Sequence, residues 1–223
     1  MTEGGRPALK VRRDRTYDPH CTRCPRLAGF LGEIRERYPD YWAGPVPSFG
    51  AADPRILIVG LAPGLHGANR TGRPFTGDYA GVLLYKTLHE AGLATRGQSD
   101  SADDGLRLRN ARIINSVKCV PPQNKPYPDE IRRCNEFLKA ELGGLKHVRV
   151  VLALGRIAHD AFLMATGRKR AGFPFVHGRE HPLGEGVYLI DSYHCSRYNT
   201  STGRLTAPMF KQVVGRACER AGV

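Results

Sequence analysis

Four stretches of the chain, "ILIVG" (56–60), "IINSV" (113–117), "VRVVLAL" (148–154) and "GVYLIDSYH" (186–194), are largely apolar without a polar face, as in strands covered on both sides. Amphipathic stretches separate them. "PRLAGFLGEIRERY" sets Leu27, Phe30, Leu31 and Ile34 at helical spacing behind Pro25, a residue favoured in the first helical turn. Further helices are predicted from about Tyr79 to Ala91, from Pro128 to about Leu142 with an acidic start at Asp129 and Glu130, over "RIAHDAFLMAT" before Gly167, and from about Ala207 to Ala221. Strands alternating with helices predict an α/β protein whose parallel sheet is covered on both faces. The same pattern predicts a single domain over residues 17–223, preceded by a flexible arm over residues 1–16 that is basic and without period.

In a parallel sheet all four strands end on one edge, where open α/β sheets bind their ligands. The loops leaving that edge are "GLHGANRTGRPFTGD", "KCVPPQNKPYP", "GRIAHD" and "HCSRYNTSTGRLTAP". The first follows Gly60-Leu61-Ala62-Pro63-Gly64, a turn that could be taken for a phosphate cradle. It lacks the Lys and Ser/Thr of a phosphate loop and the G-x-G-x-x-G of a dinucleotide turn, and Pro63 removes an amide from any phosphate nest. A pocket wall is the better reading.

Charge narrows the class of partner. The chain carries a formal charge of +13, and 26 of its 34 basic residues are Arg, suited to forked contacts with phosphate. Nucleic acid is therefore the leading partner. No apolar run reaches the roughly 20 residues needed to span a bilayer, and the first residues lack the apolar core of a signal peptide, so a cytoplasmic protein without a membrane partner is expected.

In that compartment six cysteines are better read as ligands or packing residues than as disulfides. Cys21-x2-Cys24 and Cys119-x14-Cys134 form two pairs that can close on one centre, either a tetrahedral zinc or a four-iron cluster. Spacing alone leaves that choice open. Cys218 reads as a core position, and Cys195 as either packing or functional.

Together "GLAPG", "GRPFTGDYAG", "NSVKCVPPQN", the four cysteines and "HCSRYNTSTGRLT" resemble the iron-sulfur uracil-DNA glycosylases, in particular the type-5 group. The resemblance runs from Cys21 to the last helix. It implies a three-layer α/β/α sandwich with a four-stranded, mostly parallel central sheet, and a structural 4Fe-4S cluster on Cys21, Cys24, Cys119 and Cys134, with zinc the less favoured occupant. It implies excision of uracil, with hypoxanthine, xanthine and ethenocytosine as further candidates, from DNA by a monomer. By the same resemblance Phe75 stacks on the extruded base, Asn115 reads it, Asp78 is the group's distinctive acid, and His194 faces the uracil carbonyl. Gly60, Leu61 and Ala62 line the pocket, while Ser196, Arg197, Tyr198 and Asn199 belong to the loop that wedges into the duplex. Ala62 stands where other branches carry Asp or Asn. His194-Cys195-Ser196 replaces the usual His-Pro-Ser, and Tyr198 replaces a frequent Gln.

These residue types suit the reaction. Breaking an N-glycosidic bond leaves positive charge on the sugar and negative charge on the base. A carboxylate at Asp78 can meet the first, while a donor at His194 and amides near Gly60 to Ala62 can meet the second. An Asn donates and accepts in one plane, as reading a pyrimidine edge requires. Two other classes use some of these features: a non-catalytic nucleic-acid-binding module stapled by a metal cluster, and an electron-transfer protein. Neither requires Phe75, Asp78, Asn115 and His194 to converge.

Overall fold

The computed structural model describes residues 16–223, so the expected arm lies outside the described residues except for its last position. The elements are α1 (Pro25–Arg37), β1 (Phe49–Gly50), β2 (Ile56–Gly60), α2 (Ala68–Thr71), α3 (Tyr79–Glu90), β3 (Ala111–Asn115), α4 (Pro128–Gly144), β4 (Val150–Leu154), α5 (Arg156–Ala165), β5 (Glu180–Gly184), β6 (Val187–Ser192), α6 (Arg197–Ser201) and α7 (Ala207–Ala221).

The apolar run of β2 is buried throughout, and its alternating side chains serve two cores. Ile56 and Ile58 pack with Leu84 and Leu88 of α3 and Phe210 and Val214 of α7. Leu57 and Val59 pack with Leu138 of α4 and Ala158 and Phe162 of α5. Helices therefore cover both faces of the sheet. A third apolar cluster at one end joins Leu27, Leu31 and Ile34 of α1 to Val117, Val120 and Phe137, and all four predicted ligand cysteines belong to it or pack against it.

The sheet has six strands in the order β1-β3-β2-β4-β6-β5, which corrects the expectation of four. The four expected strands are β2, β3, β4 and β6, and they pair in parallel as the centre. The two additional strands are antiparallel edges. β1 is only two residues long, and β5, "EHPLG", carries a proline and an uneven burial pattern, so neither prints the apolar signature of a central strand.

From β2 the chain crosses to β3 on one side, then returns to β4 on the other. This reversal opens a crevice at the carboxyl ends of the strands. In register, Gly60 ends β2 opposite Asn115 at the end of β3, and Leu154 of β4 pairs Ser192 of β6. Among the described residues no helix is long and apolar enough to cross a membrane.

Candidate active site and cysteine centre

Asn115 is 5% exposed, and its Oδ1 has no hydrogen-bond partner among the described residues. A buried acceptor without a partner costs stability and points to a ligand or ordered water. The space around it is kept open by Gly60. A Cβ built on Gly60 would collide with Asn115 Oδ1 and come within 2.8 Å of the Phe75 ring.

Phe75 itself is held in a left-handed backbone conformation, with φ of 55°, rare for an aromatic residue. Its neighbours impose that conformation. Arg73, 4% exposed, pairs with Asp104 at 2.6 Å and bonds Thr76 Oγ1 and Ser99 Oγ, while the Tyr85 hydroxyl donates to the Pro74 carbonyl at 2.6 Å. Gly81 of α3 lies so close that any Cβ there would strike the Phe75 carbonyl. On the other side, the His194 ring lies 5.9 Å from the Phe75 ring at 30°.

Asp78 precedes α3 and caps it, Oδ1 accepting the Gly81 amide at 2.9 Å. Oδ2 faces Gly64 and Gly67, where a Cβ built on Gly67 would be 2.6 Å away. Burial raises the Asp78 pKa above 3.8, opposed by the amides of Gly81 and Ala80. Burial also lowers the His194 pKa from 6.5 to about 4, so its imidazole is neutral at neutral pH. Cys195 is fully buried in the core, where burial and the nearby charge of Asp78 push its thiol up. It packs.

The predicted wedge loop contains a short helix, α6. Ser196 caps it by accepting the Asn199 amide, and Asn199 Nδ2 turns inward to donate to the His194 carbonyl at 2.8 Å. Of the four wedge candidates, Arg197 and Tyr198 are the exposed ones; Tyr198 is 70% exposed and Arg197 lies over the Tyr79 ring. Leu61 lines a groove of about 440 Å³ beside His194, with Arg156, Phe175, Tyr193 and Arg204 among its walls. Ala62 is half-buried, packed toward α1.

The sequence placed the "GRIAHD" turn at this edge but assigned no role to Phe175, Tyr193 and Arg204, although Tyr193 and Arg204 lie within the quoted "GVYLIDSYH" and "HCSRYNTSTGRLT". Gly155, with φ of 94°, is the one residue there with a local signal. Gly64 and Gly67 were within the quoted loop, but their close approach to Asp78 is a tertiary fact.

Cys21, Cys24, Cys119 and Cys134 line one small apolar cavity with Leu27, Val117 and Phe137. The Cys134 thiol is pushed up to about 11 by burial, and Cys119 is raised by burial and by the charges of the other three. Four thiols lining one cavity, where the other three raise the pKa of Cys119, favour the thiolate form only around a cation, so the donor set fits a cysteine-ligated metal centre. The Lys118 amide donates to Cys134 Sγ at 3.3 Å, and Lys118 and Arg133 add positive charge. Arg26 of α1 grips Glu130 of α4 through two bonds of 2.8 and 2.6 Å, bracing the cavity from outside.

Comparison with known proteins supplies the family. The family described as the uracil DNA glycosylase superfamily matches residues 47–217. A type-5 uracil-DNA glycosylase of Thermus thermophilus is 50% identical over 208 residues, covering 91% of this chain and 94% of that protein. A type-5 uracil-DNA glycosylase of Mycobacterium bovis is 44% identical, covering 91% and 79%. A type-4 uracil-DNA glycosylase of Thermotoga maritima is 34% identical over a shorter 148 residues, covering 66% and 67%. The match to the type-5 proteins spans nearly the whole chain and includes the cysteine region that precedes the superfamily match. The chain therefore belongs to the uracil DNA glycosylase superfamily and, within it, to the type-5 group.

Proposed function

We propose that this chain hydrolyses the N-glycosidic bond of uracil extruded from DNA, leaving an abasic site for repair, with Asp78 and His194 as its catalytic residues. The observation that carries this reading is the unpartnered Oδ1 of Asn115, buried beside the Phe75 ring and the bare backbone of Gly60. Uracil offers an imide N–H to that oxygen. Cytosine presents a lone pair at the same ring position, which leaves two acceptors facing each other and the buried oxygen unpaired. Phe75 supplies a stacking face of roughly 1 to 3 kcal/mol, comparable with the few kcal/mol needed to unstack a base.

Asp78 has one oxygen committed to capping α3 and the other directed toward the glycine-walled space. In its ionised form it stabilises the cationic sugar and orients the water. His194, neutral because of its surroundings, donates an N–H to the uracil oxygen as charge grows there, with backbone amides at Gly60 to Ala62 as additional donors. Gly60, Gly64 and Gly67 give the pocket small walls, which favours admission of hypoxanthine, xanthine and ethenocytosine beside uracil. Ala62 has no group to act on the water, so that work rests on Asp78. Arg197 and Tyr198 form the wedge, with Ser196 and Asn199 bracing it.

A 4Fe-4S cluster held by Cys21, Cys24, Cys119 and Cys134 would supply cross-linking rather than a step of the reaction. Its residues tie the start of α1 to the loop after β3 and to α4. The working form is expected to be a monomer. The test is a set of duplexes carrying uracil, hypoxanthine, xanthine, ethenocytosine or unmodified cytosine, scored for alkali-labile abasic sites. Cleavage is expected at uracil and not at cytosine; tight binding without abasic-site formation would refute the enzymatic reading.

A further inference from the structure

Behind the groove lies a buried cluster that the reaction as described does not use. Asp191 of β6 is fully buried, three residues before His194, and its carboxylate takes bonds from three directions. His159 Nδ1 of α5 lies 2.6 Å from Oδ1, while His181 Nε2 of β5 and the Val176 amide reach Oδ2 at 3.1 and 3.3 Å. The other nitrogen of His159 lies 2.8 Å from the Phe173 carbonyl. Carboxylate and carbonyl both accept, so both ring nitrogens of His159 carry protons and the ring is an imidazolium. Burial works against that charge, but the hydrogen bond and charge of Asp191 and the Phe173 carbonyl outweigh it, and the His159 pKa is raised.

His159, His181 and Asp191 also have the composition of a metal site. Their spacing argues for protons. Two ligand atoms on one zinc at about 2.0 to 2.1 Å in tetrahedral geometry stand roughly 3.3 Å apart, more than the 2.6 Å between His159 and Asp191. The second nitrogen of His159 is moreover already committed to a carbonyl.

What the cluster holds is the segment 173–179. Gly178 donates to the Asp191 carbonyl at 2.8 Å, and the Asp191 amide donates to the Arg179 carbonyl. That segment in turn grips the residue before His194. The Tyr193 amide donates to His177 Nδ1 at 3.0 Å, and the two rings stack 4.9 Å apart at 11°. Phe175 and Val176 face the same groove as His194. His194 is thus held from one side by α6, through Asn199, and from the other by a segment pinned to Asp191.

We propose that His159, Asp191 and His181 are positioning residues for the excision reaction, a buried charged clamp that acts through the 173–179 segment to set the place of His194. The proposal rests on the catalytic role given to His194 above. A misplacement of the ring by a fraction of an ångström is enough to slow excision by about tenfold.

The test combines His159→Gln with His194→Ala in a double-mutant cycle, reading single-turnover excision on single-stranded uracil DNA, melting temperature, and the His194 pKa by NMR in the His159→Gln protein. His159→Gln is expected to slow excision about tenfold alone and not at all in the His194→Ala background, and to move the His194 pKa upward from about 4 as water reaches the ring. His181→Gln, which releases one arm of the clamp, carries the same test with a loss of about threefold if His159→Gln does not fold. Multiplicative losses in the cycle, a lower melting temperature with an unchanged rate and His194 pKa, or one equivalent of zinc bound by the trio would each overturn the proposal. If His194→Ala alone retained the wild-type rate, the catalytic role of His194 would fail instead, and the NMR shift would still report whether the clamp positions that ring.

Discussion

The proposed mechanism gives Asp78 a catalytic job beside its capping bond, and replacing it with Asn or Ala separates the two. Oδ1 accepts the Gly81 amide at 2.9 Å, a bond that Asn can reproduce and Ala cannot. Loss of such a cap costs about 1 kcal/mol. In a chain of this size that lowers the melting temperature of Asp78→Ala by about 2 to 4 °C. Asp78→Asn should not show this loss. Because burial raises the Asp78 pKa, the folded protein holds this proton more tightly than the unfolded chain does. The wild type therefore loses stability as pH rises from 3.8 through the folded pKa, a slope that Asp78→Asn lacks, so at neutral pH the Asn variant should be at least as stable as wild type. Both substitutions remove the charge that the proposed mechanism sets against the cationic sugar. Each should slow single-turnover excision by about 10² to 10⁴-fold, about 3 to 5 kcal/mol of barrier, while affinity for uracil duplex by fluorescence anisotropy stays near wild type. In the wild-type enzyme the acid limb of the rate should lie above pH 3.8, the ordinary value for Asp. A normal rate in Asp78→Asn, with only Asp78→Ala impaired, would assign Asp78 to capping and refute the catalytic argument.

Three further outcomes follow from the same geometry. Gly60→Ala has a backbone that tolerates the substitution, yet its methyl meets Asn115 Oδ1 and the Phe75 ring; it should cost about 1 to 3 kcal/mol in denaturant titration, with excision reduced by about 10²-fold. Ordinary turnover there would move the base pocket elsewhere. Purified protein should be brown with four irons per chain, and Cys119→Ala should lose iron and melt earlier; colourless protein with stoichiometric zinc would keep the ligands and sink the cluster. His194→Ala should slow excision about 10²-fold on single and double strands alike, whereas Tyr198→Ala should harm A:U duplexes more than G:U and spare single strands, and equal losses across those substrates would make Tyr198 a pocket residue.

The central strands were legible because each is an apolar run buried on both faces, and α7 was found within its observed bounds, Ala207–Ala221, from its apolar spacing. The edges were not legible, since an antiparallel strand of two residues or one containing Pro182 carries too little periodicity to stand out. Residue roles at the pocket were readable only through the joint motif. The sequence does not print that Asn115 Oδ1 lacks a partner or that Phe75 has a positive φ, because both result from what surrounds them. Asn199 shows the limit most clearly. Its place in a polar loop suggested contact with DNA, while the short helix that forms there turns its amide back to the His194 carbonyl.

The poor regularity that hid the edge strands has a consequence for how many copies can work side by side. An open sheet ends in unpaired amides and carbonyls that can recruit a strand from another chain. Here β1 offers two residues, and β5 combines Pro182, which has no amide to donate, with an irregular register between Pro182 and Gly184. A protein carrying +13 gathers on a polyanion at high local density, where cross-pairing of rims would lead to aggregation. Short, proline-interrupted rims let copies crowd on one nucleic acid without joining their sheets.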